Sequence, residues 1–155
     1  MPARAWRGAA LPICKSLLRG DSLLQCVRAI LDAPPEACIL IVDDDPTIRS
    51  LLRDVLQPSG YRVLEASNGR QALHQLRQER VDVLITDLVM PEQEGMETIE
   101  AAKKEFPDLR ILAMSGGFGE QFLTVAQLLG AHEILHKPFG TDVVKEVVQS
   151  LLRAR

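Results

Sequence analysis

The stretch CILIVDDDPTIRSLLRDVL, residues 38–56, decides how the rest of the chain is read. CILIVD (38–43) is a continuous apolar run of strand length, as expected of a strand covered on both faces. Asp45-Pro46 then supplies a side-chain acceptor at a helix N-cap and a proline at the first helical position. Beyond them Ile48, Leu51, Leu52, Val55 and Leu56 fall at helical spacing and predict one apolar stripe. A buried strand passing through three aspartates into an amphipathic helix is one strand–helix unit.

The alternation continues downstream. Gly60 ends the first helix, YRVLEA (61–66) reads as a short second strand, and Asn68-Gly69 turns into a helix carrying Ala72, Leu73 and Leu76. VDVLIT (81–86) is the third strand, and residues 94–106 form a helix with Met96, Ile99 and Ala102 inward. RILAMS (110–115) is the fourth strand, followed by a helix near 120–129 and a short fifth strand around 133–135. The last helix places Val143, Val144, Val147, Val148, Leu151 and Leu152 on one side. Strands joined by helix-length crossovers run parallel, with right-handed connections and helices on both faces. An open, doubly wound α/β sheet follows, since five units are too few for a closed eight-stranded barrel.

Upstream, Pro34-Pro35 marks a boundary between an N-terminal extension (1–36) and the domain proper (37–155). The extension holds five basic and three acidic residues, a net of +2, which leaves −5 of the chain's total of −3 to residues 37–155. Within it Leu23, Leu24, Val27, Ile30 and Leu31 predict a short amphipathic helix suited to docking or self-association, so a homodimer stays open. A chain of 155 residues, 46% hydrophobic and 4% aromatic, suits one globular domain and leaves little room for another. Its acidic balance argues against nucleic acid as a direct partner. No apolar run reaches the roughly 18 residues of a membrane span. The basic start, MPARAWRGAALPIC, fails as a secretory signal because Pro12 interrupts a short apolar stretch. Cys14, Cys26 and Cys38 show no CxxC spacing and read as reduced thiols of a cytoplasmic protein.

In doubly wound sheets the chemistry gathers at the carboxyl ends of the strands. Here those ends supply Asp43-Asp44-Asp45, Asp87, Ser115 and Lys137-Pro138. Clustered carboxylates repel one another, and oxygen-only ligands at this density suit Mg²⁺, which keeps several waters and leaves room for a phosphoryl group. Lys137 adds the charge a phosphate attracts, and Ser115 can donate to a phosphoryl oxygen. Asp45 is already accounted for as a helix cap.

The strings ILIVDDDP (39–46), VLITDLVMP (83–91), ILAMSGG (111–117) and LHKPF (135–139) together resemble the receiver domains of two-component response regulators. The resemblance spans about residues 37–154, and the chain looks like a stand-alone receiver of the chemotaxis-regulator kind. It implies a flavodoxin-like sheet of strand order 2-1-3-4-5. It implies that Asp87 takes a phosphoryl group from a phosphohistidine on a histidine kinase or phosphotransfer protein. Asp44 would bind Mg²⁺ directly, Asp43 largely through water, with Asp87 and the backbone carbonyl of Val89 completing the metal ligands. Ser115 and Lys137 would contact the phosphoryl oxygens, and a cis Lys137-Pro138 bond would aim the lysine. The implied output is a phosphorylation-dependent contact with an unnamed protein target, and the chain would be no enzyme beyond its own phosphorylation and dephosphorylation.

Two features depart from the family pattern. Ile134 stands three before Lys137, where the family carries an aromatic residue, so an aromatic readout is in doubt while phosphorylation is not. The loop PEQEG (91–95) carries extra acids that should face solvent, and Gly116 and Gly117 leave the mouth of the site uncrowded. Other functions fit less well. Gly117-x-Gly119 lacks a third glycine, which stands as Phe122, and follows the wrong strand for a dinucleotide loop. An aspartyl-nucleophile phosphatase would want an acid two residues after Asp87, where Val89 stands. His74, His132 and His136 are scattered and are assigned neither phosphotransfer nor metal binding. The non-enzymatic alternative is a receiver-like scaffold independent of phosphate. Such scaffolds lose an acid, the acceptor or the lysine, and this chain keeps them all.

Overall fold

The computed structural model describes residues 36–90, 94–116 and 120–154. The helix expected in the extension, Cys14 and Cys26, the acid at Glu92 and the glycines at 117 and 119 lie outside those residues. Five strands alternate with five helices: β1 (Cys38–Val42), α1 (Pro46–Leu56), β2 (Arg62–Ala66), α2 (Gly69–Gln78), β3 (Val83–Asp87), α3 (Glu94–Glu105), β4 (Arg110–Ser115), α4 (Glu120–Leu129), β5 (Glu133–His136) and α5 (Thr141–Arg153). All strand pairs are parallel, in the order β2-β1-β3-β4-β5. The chain moves outward from β1 to β2 and then crosses back to lay β3 on the other edge of β1. That reversal opens a crevice at the carboxyl ends of β1 and β3.

The period-two geometry of β1 explains why its apolar run is uninterrupted. Leu40 and Val42 face one layer, with Leu84 and Ile111 beside them, under Ala72 and Leu76 of α2, Ile99 and Ala102 of α3, and Ala126 of α4. Ile39 and Ile41 face the other, with Ile85, Leu112 and Met114, under Leu52 and Leu56 of α1 and Val144, Val148 and Leu151 of α5. Each of the valine, leucine, isoleucine and methionine side chains contributes roughly 1.5–3 kcal/mol by leaving water, so the sheet is anchored from both sides.

Two residues leave the stripes expected of them: Leu51 is 41% exposed and Val143 45%. A helix lying on a sheet buries a stripe only about 100° wide, and successive residues are about 100° apart. Burying Leu52 therefore turns Leu51 outward, and burying Val144 does the same to Val143. Strand and helix ends shift by a residue or two, notably β3, which runs on to include Asp87.

The caps form as the residue types dictate. Asp45 accepts from the Thr47 N–H at 2.8 Å, and Asn68 from the Gln71 N–H at 2.8 Å. Gly60 closes the turn after α1 with φ of 89°, a left-handed conformation that a side chain would strain. Cys38 is buried and free, and burial pushes its thiol above the ordinary value, consistent with an inert reduced cysteine. A cleft of about 840 Å³, lined in part by Leu76, Glu79, Asp82, Phe106 and Arg110, lies at the amino ends of β3 and β4, away from the acidic strand ends.

His132 links β4 to the start of β5. Its backbone N–H donates to the Ile111 carbonyl at 2.8 Å, and its Nδ1 accepts from the Ile111 N–H at 3.1 Å. Burial, followed by the nearby charges of Lys103 and Arg110, holds this imidazole below its ordinary value of 6.5. The unfolded chain therefore binds a proton that the folded chain resists. The stability tied to neutral His132 is fully present above about pH 6.5 and is lost as pH falls through the lower folded value. Urea denaturation from pH 7.5 to 5 should show this decline, and His132→Asn, which can still accept but does not titrate, should flatten it.

Candidate functional site

The register of β1 on β3 sets Val42 beside Thr86, so the next residue of each strand emerges at the same edge of the crevice. These are Asp43 and Asp87. Asp43 is fully buried and Asp87 only 6% exposed, an arrangement in which two like charges share a poorly hydrated space. Lys137, just beyond β5, resolves it: Nζ donates to Asp43 Oδ2 at 2.8 Å and to Asp87 Oδ2 at 3.0 Å. The remaining carboxylate oxygens are met by backbone. The Asp45 N–H donates to Asp43 Oδ1 at 2.9 Å, and the Val89 N–H to Asp87 Oδ1 at 3.0 Å.

Burial is the largest influence on Asp43 and pushes its carboxyl above the ordinary value. The hydrogen bonds from Lys137 and from the Asp45 N–H only partly offset this, and the Asp87 charge adds to it. Burial also works against the charge of Lys137, but the hydrogen bonds and charges of the two aspartates outweigh it and hold the ammonium above its ordinary value. The lysine therefore stays charged.

Ser115 closes β4 beside this group. It is 1% exposed, and among the described residues its Oγ has no hydrogen-bond partner. A buried hydroxyl without a partner is costly and marks a position where an incoming acceptor would be welcome. The Lys137 N–H donates to the Ser115 carbonyl at 2.7 Å, so the backbone ties hydroxyl and ammonium to one frame. Asp44 is exposed. One carboxylate oxygen each from Asp43, Asp44 and Asp87 lies within 4.8 Å of the others, a group that could hold a metal ion. Their chemistry, all hard oxygen with one acid open to water, fits Mg²⁺. Val89 enters through its N–H, and the Lys137-Pro138 peptide is cis.

Two neighbours went unnoticed in the sequence. Arg49, on α1, sends Nη1 to the carbonyl of Asp43 at 2.7 Å, and its Nε pairs with Glu65 of β2 at 3.4 Å. Its only sequence signal is an arginine one turn into the helix that follows the acids. Gly95, in the first turn of α3, lies against the strand end. A Cβ built on it would meet the Asp87 carbonyl oxygen at 2.2 Å and the Leu88 backbone at 2.9 Å. Only glycine lets the helix come this close to the end of β3.

Two outcomes follow from this geometry. The folded value of Asp43 lies above the unfolded 3.8, so the stabilising protonated form is present below 3.8 and lost as pH rises through the folded value. At neutral pH the ionised carboxylate thus weakens the metal-free fold, and Asp43→Asn should raise the melting temperature in EDTA. Gly95→Ala should cost about 1–3 kcal/mol in urea denaturation, because backbone rather than a flexible side chain must yield.

Residues 39–149 match the response regulator receiver domain family. The chain is 35% identical over 115 residues to sporulation initiation phosphotransferase F of Bacillus subtilis, covering 74% of this chain and 92% of that one. It is 32% identical over 115 residues to the chemotaxis protein CheY of Thermotoga maritima, covering 73% and 95%. Among solved structures, the chemotaxis protein CheY4 of Vibrio cholerae superposes with a TM-score of 0.72 at 30% identity, covering 76% of this chain and 99% of that one.

Proposed function

The chain belongs to the response regulator receiver domain family, and from that membership we propose that it accepts a phosphoryl group on Asp87 and signals through the change in charge. The observation that carries this reading is the buried Asp87 carboxylate, bridged by one ammonium to Asp43 and set beside an unpartnered serine hydroxyl. The donor would be a phosphohistidine on a histidine kinase or phosphotransfer protein, and Asp43, Asp44, Asp87 and Val89 would hold Mg²⁺. When bound, the cation supplies neutralisation of charge on the transferring phosphoryl oxygens.

An oxygen of the Asp87 carboxylate forms the new bond to phosphorus as the phosphorus–nitrogen bond to the donor imidazole breaks. The imidazole keeps the bonding electron pair and takes a proton from solvent. Lys137 stays protonated and can turn from the carboxylate to a phosphoryl oxygen. Ser115 gains the acceptor it lacks. The product is an acyl phosphate, and water returns Asp87 to its starting state.

The response would proceed without an aromatic rotation at Ile134. That side chain is half-buried and packed against the layer containing Ala113 and Ala126. The readout is then a change in packing around β4 and β5, delivered to a partner protein in the cytoplasm. Catalysis extends no further than the chain's own phosphorylation and its reversal.

The test is incubation with acetyl phosphate and Mg²⁺ followed by intact-mass measurement. Wild type should gain one phosphoryl group, and Asp87→Asn or chelation should abolish the gain. Ser115→Ala should slow it on the order of tenfold, about one hydrogen bond in the transition state. No gain on wild type, or an equal gain on Asp87→Asn, would favour a scaffold that works without phosphate.

A further inference from the structure

We infer that Arg49 is a positioning residue that sets the divalent-cation affinity of the acidic turn, an inference that rests on the metal reading above. Two of its donors point in different directions. Nη1 donates to the carbonyl of Asp43 at 2.7 Å and reaches that of Asp44 at 3.4 Å, while Nε pairs with Glu65 Oε2 at 3.4 Å. The other oxygen of Glu65 accepts from Arg53, one turn further along α1, at 2.8 Å. The Glu65 carbonyl accepts from Gln75 of α2 at 2.8 Å. Glu65 stands on β2 opposite Ile41 of β1, and the Arg49 side chain is 17% exposed.

The guanidinium thus joins the backbone of both N-terminal acids to an anchor on the neighbouring strand. The backbone N–H of Arg49 donates to the Asp45 carbonyl at 3.2 Å, which closes the turn from the helix side. Groups that hold metal ligands from behind govern affinity through orientation. A planar fork does this where a lysine, a point charge on a flexible stem, does not.

Charge and positioning predict opposite signs. Arg49 is a cation beside an acidic cluster, so on Coulomb grounds alone its removal should tighten Mg²⁺ binding. If it positions Asp43 and Asp44, its removal should weaken binding. The experiment is calorimetric titration of the full chain with MgCl₂ at a temperature where melts in EDTA show each variant folded. Arg49→Ala should bind about tenfold more weakly. Arg49→Lys, which keeps the charge, should recover little, and Glu65→Gln should lose less than Arg49→Ala. Unchanged or tighter binding by Arg49→Ala would overturn the inference. If that variant does not fold, Arg49→Lys decides: weaker binding supports the inference and wild-type affinity overturns it. A wild type that binds no Mg²⁺ would instead overturn the metal reading itself.

Discussion

Two carboxylates at the ends of adjacent parallel strands, sharing one ammonium, are the constraint from which the rest of this structure follows. At about 4 Å and an effective dielectric near 20, like charges repel by on the order of 4 kcal/mol. Here both groups are also nearly excluded from water. A single cation satisfies an oxygen of each but cannot cancel two charges, so the resting site keeps an excess of negative charge. That excess is what makes the strand ends attractive to a divalent cation. Burial, with the Asp87 charge adding to it, leaves Asp43 raised, while the two aspartates hold Lys137 protonated.

Holding such a group requires a rigid frame, and the two-layered core supplies it. β1 and β3 are buried on both faces, so neither can slide to relieve the repulsion. At close quarters the segments that follow β1 and β3 contribute backbone, and α1 adds the Arg49 side chain. The turn into α1 gives the Asp45 N–H to Asp43, and the segment after β3 gives the Val89 N–H to Asp87. Gly95 lets α3 lie against the backbone at the end of β3.

Legibility in the sequence followed the range of the interaction. Alternation of apolar strands and amphipathic helices reports burial, a property of each segment, and the order of units was readable from it. Asp45 and Asn68 announce their caps because a cap bonds within three residues. The convergence of Asp43, Asp87, Ser115 and Lys137 was readable from the topological rule for strand ends. The bridging by Lys137 and the orphaned Ser115 hydroxyl were not, since both depend on distances between elements. Arg49 and Gly95 escaped for the same reason: each acts on a main chain it meets only in the folded state. Leu51 and Val143 were placed on the apolar stripes yet are exposed, because periodicity marks a face without saying how much of it the sheet covers.

Lys137 lies 94 residues from Asp43 and 50 from Asp87 along the chain. It stands beyond β5, an edge strand whose sheet partner is β4. A ribosome-bound or frayed chain would carry both aspartates before the ammonium that bridges them is in place. The bridge between the two carboxylates is therefore completed only once the final strand has docked. Partial unfolding of that edge would disarm the site while most of the sheet stood intact.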